Sequence, residues 1–118
     1  SVLVVERSTA IQRLFEVVLR NVADPLFIVA DQEKASELLS AESIDIVIME
    51  PQGPSEICWR LLDESVSSAI PTIVVTSRVD ERIRDEAGRR GAAAFLSKPF
   101  KPEALQAIIR NIISTNHA

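Results

Sequence analysis

Ile44-Asp45-Ile46-Val47-Ile48-Met49-Glu50 sets four large apolar residues in a row, ends them on a carboxylate, and is followed by Pro51, Gly53 and Pro54. So short a run, rich in β-branched residues and apolar at successive positions, predicts a strand buried on both faces. Parallel sheets covered by helices contain such strands. Glu50 then stands where the strand leaves the core. In open α/β sheets, ligands and chemistry gather beyond the carboxyl ends of the strands, which makes Glu50 the centre of the candidate site.

The flanking sequence repeats the pattern. Val2-Leu3-Val4-Val5 is a second buried-type strand, stopping at Glu6-Arg7. Thr9 and Gln12 have the spacing of a capping box, and Ile11, Leu14, Phe15, Val18 and Leu19 then mark an amphipathic helix. Asp24-Pro25 turns the chain into a short strand from Leu26 to Ala30, after which Asp31 can cap a helix burying Ala35, Leu38 and Leu39. Beyond Glu50 a helix is expected from about Ser55, with Ile57, Cys58, Leu61 and Leu62 inward. Ile70-Pro71 introduces the strand Thr72-Ile73-Val74-Val75, which ends at Thr76-Ser77. Asp80 is placed to cap a charged helix stopped by Gly91. Ala94-Phe95-Leu96-Ser97 is a fifth strand, ending at Lys98-Pro99-Phe100. Pro102 suits a first helical position, and Leu105, Ile108, Ile109, Ile112 and Ile113 form a long helical stripe.

Five strands alternating with five helices through short connections imply right-handed crossovers and helices on both faces of a parallel sheet. The first, third and fourth strands are the most uniformly apolar and should be central. The expected fold is therefore a (βα)5 flavodoxin-like sandwich with strand order 2-1-3-4-5.

At 118 residues the chain suits one domain, residues 1–118, large enough for a core without disulfides. It starts directly on a strand without an initiator Met, as a segment of a longer protein would. The net charge of −4 argues against a dedicated nucleic-acid binder. A single cysteine, Cys58, excludes an internal disulfide and suits a reducing compartment. No apolar run approaches the ~20 residues of a membrane span, and no signal peptide is recognisable, so the expected location is the cytoplasm.

The polar residues that end the strands should share one crevice: Glu6 and Arg7, Glu50, Thr76 and Lys98. A single charged strand end is usually just solvated, but one at each of four strand ends on one edge is a constellation. Here the chain resembles the receiver domains of two-component response regulators over essentially its whole length. The resemblance rests on Val2–Val5 with the acid that follows, Asp45–Met49 before Glu50, Pro54, Ile70–Ser77, and Gly91-Ala92-Ala93-Ala94-Phe95-Leu96-Ser97-Lys98-Pro99-Phe100.

The resemblance implies a chemotaxis-regulator-like fold and assigns roles. In receivers an aspartate at the place of Glu50 attacks a phosphoryl donor to form an acyl phosphate, and two acids after the first strand help hold Mg²⁺. Residues at the places of Thr76 and Lys98 contact the phosphoryl group, an aromatic at the place of Phe95 rotates on activation, and the Lys98–Pro99 bond is expected to be cis. Two positions depart from the pattern: Arg7 replaces the second acid and Glu50 the acceptor aspartate. Mg²⁺ demands near-octahedral oxygen ligands, and Arg7 removes one while adding a permanent cation. Glu50 is a possible nucleophile but reaches about one C–C bond too far, and a displacement of about 1 Å costs roughly a hundredfold in positioned chemistry. Glu6 and Glu50 would face Arg7 and Lys98, two charges against two, so a salt-bridge cluster can replace the metal. The plainer alternative is a decayed pocket with incidental pairs.

The expected function is a receiver-like signalling domain that works through protein–protein contacts without ordinary aspartyl phosphorylation, with no metal and no cofactor. Its partners would be a histidine kinase or an effector, met through the face of helix 4, strand 5 and helix 5, with a homodimer possible and no direct contact with nucleic acid or membrane. Ala93 and Ala94 stand where the DNA-binding subgroup commonly has two acids, which places that dimer mode in doubt. Two alternatives stay open: a receiver still phosphorylated by a kinase, and a flavodoxin-like binder of a small molecule, although no Gly-rich phosphate loop follows the first strand. Among other residues, Cys58 reads as core, Trp59 as either core or a partly exposed anchor, and His117 as part of a tail that cannot build a zinc site with one Cys. Arg82, Arg84, Arg89 and Arg90, interleaved with Asp85 and Glu86, read as a solvated face.

Overall fold

A computed structural model describes residues 1–51, 59–77 and 81–116. In chain order the elements are β1 (Val2–Val5), α1 (Thr9–Leu19), β2 (Leu26–Val29), α2 (Gln32–Ala41), β3 (Ile46–Met49), α3 (Arg60–Ser67), β4 (Thr72–Thr76), α4 (Glu81–Arg89), β5 (Ala94–Ser97) and α5 (Pro102–Asn116). The five strands form one sheet in the order β2-β1-β3-β4-β5, all neighbours parallel. This is the flavodoxin-like architecture expected from the alternation of elements.

Burial follows strand position. Every residue of β1, β3 and β4 is buried, whereas β2 and β5, at the edges, are half-buried throughout. Alternate side chains serve two cores. Val2, Val4, Ile46, Ile48, Ile73 and Val75 meet Phe15 and Leu19 of α1 and Leu105 and Ile109 of α5. Leu3, Val5, Val47, Met49 and Val74 meet Ala35 of α2, Trp59, Leu61 and Leu62 around the start of α3, and Ala87 of α4. Trp59 is thus core, 7% exposed.

Several local expectations are corrected. The central strand begins at Ile46 rather than Ile44, and the Asp45 side chain stays 77% exposed, where its charge keeps its hydration. The N-cap of α1 is Ser8, whose Oγ accepts from the Ile11 amide at 3.4 Å. Gln12 closes no capping box with Thr9; its side-chain amide donates instead to the Glu6 carbonyl at 2.6 Å. In α5, Leu105 and Ile109 are buried, but Ile113 remains 41% exposed. The helix has 15 residues, about 22 Å at 1.5 Å per residue, so it overhangs strands of four residues, about 13 Å long.

Other expectations hold. Asp31 caps α2 by accepting from the Lys34 amide at 2.8 Å. Pro102 opens α5, and the Lys98–Pro99 bond is cis, as is Asp24–Pro25. Gly91 takes φ +98° after α4, and the Ala92 amide donates to the Ala87 carbonyl at 3.0 Å, closing the helix end. The expectations for Pro54, Ser55, Ile57, Cys58, Asp80 and His117 lie outside the described residues. No helix among the described residues is long and apolar enough to cross a membrane.

Candidate functional site

The sheet register builds the site. Val5 pairs with Met49, so the residues that follow them, Glu6 and Glu50, leave the sheet side by side from two adjacent inner strands. Met49 pairs with Val74 and Thr76 with Ser97, which brings Thr76 and Lys98 to the same edge. The Lys98 amide donates to the Thr76 carbonyl at 2.8 Å, and the Glu6 amide to the Val29 carbonyl at 2.9 Å. Main-chain pairing thus holds both residues before their side chains meet.

The side chains converge on one ammonium. Lys98 Nζ donates to Glu6 Oε1 at 2.5 Å and to Glu50 Oε1 at 3.0 Å. These contacts join residues 92 and 48 positions apart in the chain. Side-chain exposure is 4% for Glu6, 15% for Glu50 and 13% for Lys98, so the triad is largely out of water. Burial by itself would lower the Lys98 pKa; the hydrogen bonds it donates to Glu6 and then to Glu50, aided by their charges, outweigh it and hold the ammonium above the ordinary lysine range. The second oxygen of Glu6, Oε2, accepts from the Ser8 amide at 3.0 Å, tying the carboxylate to the N-cap of α1. Glu6 is therefore satisfied on both oxygens, which a buried carboxylate requires.

The remaining site residues surround this triad. Arg7 follows Glu6 and is exposed; Thr76 is fully buried at the end of β4. Phe95, on β5, is half-buried against the cluster that holds Trp59 and Ala87, with the Arg84 guanidinium 5.3 Å from its ring centroid. Glu6, Glu50, Thr76 and Lys98 are gathered at one edge as the strand ends imply. Among the described residues, no group of three or more His, Cys, Asp and Glu side chains is placed to hold a metal ion.

Arg90 makes more contacts than its place in a charged helix implies. Arg90 is not simply part of a solvated face: it donates to Glu86 Oε2 at 2.9 Å and to Asp63 Oδ2 of α3 at 2.8 Å, and its guanidinium lies 5.6 Å from the Trp59 ring centroid. Its position just past the end of α4 is the only sequence sign, and it does not reveal the partner on α3.

Comparison with known proteins places the chain. The response regulator receiver domain family matches residues 2–110. A "Probable transcriptional regulator ycf27" of Porphyridium aerugineum is 28% identical over 116 residues, covering 95% of this chain and 47% of that protein. Response regulator Rre1 of Synechocystis sp. is 33% identical over 72 residues, 60% of this chain and 31% of that protein. The chain thus spans about half the length, or less, of these curated relatives. Among solved structures, the signal receiver domain of an HD domain-containing protein from Pseudomonas fluorescens Pf-5 superposes with a TM-score of 0.88 at 23% identity, covering 98% of this chain and 95% of that one. The receiver domain of nitrogen regulatory protein C superposes with a TM-score of 0.84 at 21% identity, covering 99% and 96% of the two chains. With the family match running from β1 into α5 over a sheet of order 2-1-3-4-5, the chain belongs to the response regulator receiver domain family of two-component signalling.

Proposed function

We propose that this receiver signals through protein contacts without aspartyl-type phosphorylation, its phosphoryl site replaced by a Glu6–Lys98–Glu50 salt-bridge triad. The observation that carries this reading is the double engagement of Lys98, at 2.5 Å from Glu6 and 3.0 Å from Glu50. An incoming phosphoryl group would need Lys98 as its own counter-charge. Here the ammonium is already committed to two carboxylates, and Glu50 presents an oxygen drawn toward Lys98 rather than a free nucleophile.

The Mg²⁺ that the family resemblance implies does not suit this donor set. The ion takes near-octahedral oxygen coordination at ~2.0–2.1 Å from carboxylates and waters. Glu6 and Glu50 each give Lys98 an oxygen, Glu6 gives its other to the Ser8 amide, and Arg7 adds a cation at the place of the second acid. A fixed internal cation supplies part of the charge balance that a bound dication would provide.

The face of α4, β5 and α5 is the proposed surface for a signalling partner, either a histidine kinase, an effector or a second copy of the chain. Retention of Thr76 and Lys98 in the crevice favours one second reading, slow phosphoryl uptake on Glu50. Intact-mass spectrometry after treatment with a small acyl phosphate, with and without Mg²⁺, separates the two. No mass gain is expected; uptake of one phosphoryl group, abolished by Glu50→Gln, would overturn the proposal.

A further inference from the structure

Two aromatic rings, Trp59 buried and Phe95 half-buried, each lie under a guanidinium from α4 or the turn after it. Arg84 Cζ is 5.3 Å from the Phe95 ring centroid, and Arg90 Cζ is 5.6 Å from that of Trp59. Arg90 also binds Glu86 on its own helix and Asp63 on α3, at 2.9 and 2.8 Å, with 17% of its side chain exposed. Arg89 adds a 2.9 Å pair to the other oxygen of Glu86. Glu86 is thereby fixed as the anchor that aims Arg90 across to α3.

The apolar attachment of α4 is thin by comparison. Ala87 is its one buried residue, with Ile83 partly buried beside it. Gly88 stands inside the helix, where glycine is a poor helix former, and a Cβ there would meet nothing within 4 Å. A helix with so little buried apolar surface opens at lower free energy than the strands it covers.

We infer that Arg90 is a clasp fastening α4 to α3, and that α4 lifts as a unit when the clasp opens, uncovering Trp59 and Phe95 as an apolar surface. Guanidinium stacking, ion pairing to Asp63 and the Glu86 anchor act together at one side chain. Removing Arg90 therefore releases the helix without touching the sheet. This device is independent of the chemistry at Glu50.

Native-state hydrogen exchange on the full chain tests the clasp, with acrylamide quenching of Trp59 as a second readout. In Arg90→Gln the amides of α4 should exchange about tenfold faster, from the loss of one stacked, ion-paired guanidinium. Amides of β3 should change less than about twofold, and Trp59 should become more accessible to quencher. Gly88→Ala should slow α4 exchange about fivefold and, combined with Arg90→Gln, should restore much of the lost protection. Arg90→Lys, which keeps charge but lacks the planar fork, should fall between wild type and Arg90→Gln. Equal acceleration of α4 and β3 in Arg90→Gln, unchanged α4 exchange, or full protection in Arg90→Lys would each overturn the inference.

Discussion

Replacing Lys98 by Met keeps most of the side chain's apolar stem and removes the charge that holds Glu6 and Glu50 together. Two carboxylates, 4% and 15% exposed, would then lose the ammonium they share. Removing one partner from a buried pair costs about 3–5 kcal/mol. The residual exposure of Glu50 and of Lys98 itself, 13%, puts the expected loss near the lower end, about 3 kcal/mol. For a domain of 118 residues, with about 4 °C lost per kcal/mol, the melting temperature should fall by about 12 °C. The variant should still fold, since domains of this kind hold about 5–15 kcal/mol. Urea unfolding followed by fluorescence of Trp59, the one tryptophan and a buried one, reads the difference directly. The pH dependence gives a second check. The folded-state pKa of Lys98 is raised above 10.5, so the stability due to its pairing is fully present below the unfolded value and is lost as pH rises through the folded one. The gap between wild type and Lys98→Met should therefore be flat from pH 7 to about 10 and narrow only above it. The chain has no tyrosine to titrate in the same range. A gap below about 1 kcal/mol at pH 7, the value of a solvated surface pair, or narrowing that begins below pH 9, would refute the buried-triad reasoning.

Other outcomes follow from the same geometry. The double change Arg7→Asp and Glu50→Asp should restore Mg²⁺-dependent uptake of one phosphoryl group, read by intact mass, because Glu6, Thr76 and Lys98 already stand at the same edge. Glu50→Asp alone should stay inert, since Arg7 still opposes the cation. A folded double variant that binds Mg²⁺ and gains no mass would place a further defect outside these two positions. Calorimetric titration of wild type with millimolar Mg²⁺ should show no saturable binding; a signal abolished by Glu6→Gln would contradict that. Gly91→Ala should cost about 1–3 kcal/mol, because φ is +98° and a Cβ would come within 3.2 Å of Val66 Cγ1. Gly88→Ala, three residues earlier, should stabilise; thermal melts that rank the two the other way would refute the assignment of strain.

Composition and order alone determined the architecture. Val2–Val5, Ile46–Met49 and Thr72–Thr76 are apolar at nearly every position because they are the three inner strands, covered on both faces. Their pattern therefore announces their place in the sheet. The site was legible for the same reason: in a parallel sheet every strand ends at the same edge, so residues scattered from Glu6 to Lys98 are collected by topology before any side-chain contact forms. Tertiary structure alone decided who pairs with whom. Nothing local to Lys98 says that its ammonium reaches past β4 to Glu50, after β3, and to Glu6, after β1, and nothing local to Arg90 says that it crosses to Asp63 and covers Trp59. Ser8 rather than Thr9 caps α1, and the Ser8 amide also donates to the Glu6 carboxylate. Sequence periodicity reports which face of an element meets water, because that is set by local geometry. The partner of a long charged side chain is set by distances between elements, which exist only once the sheet has closed.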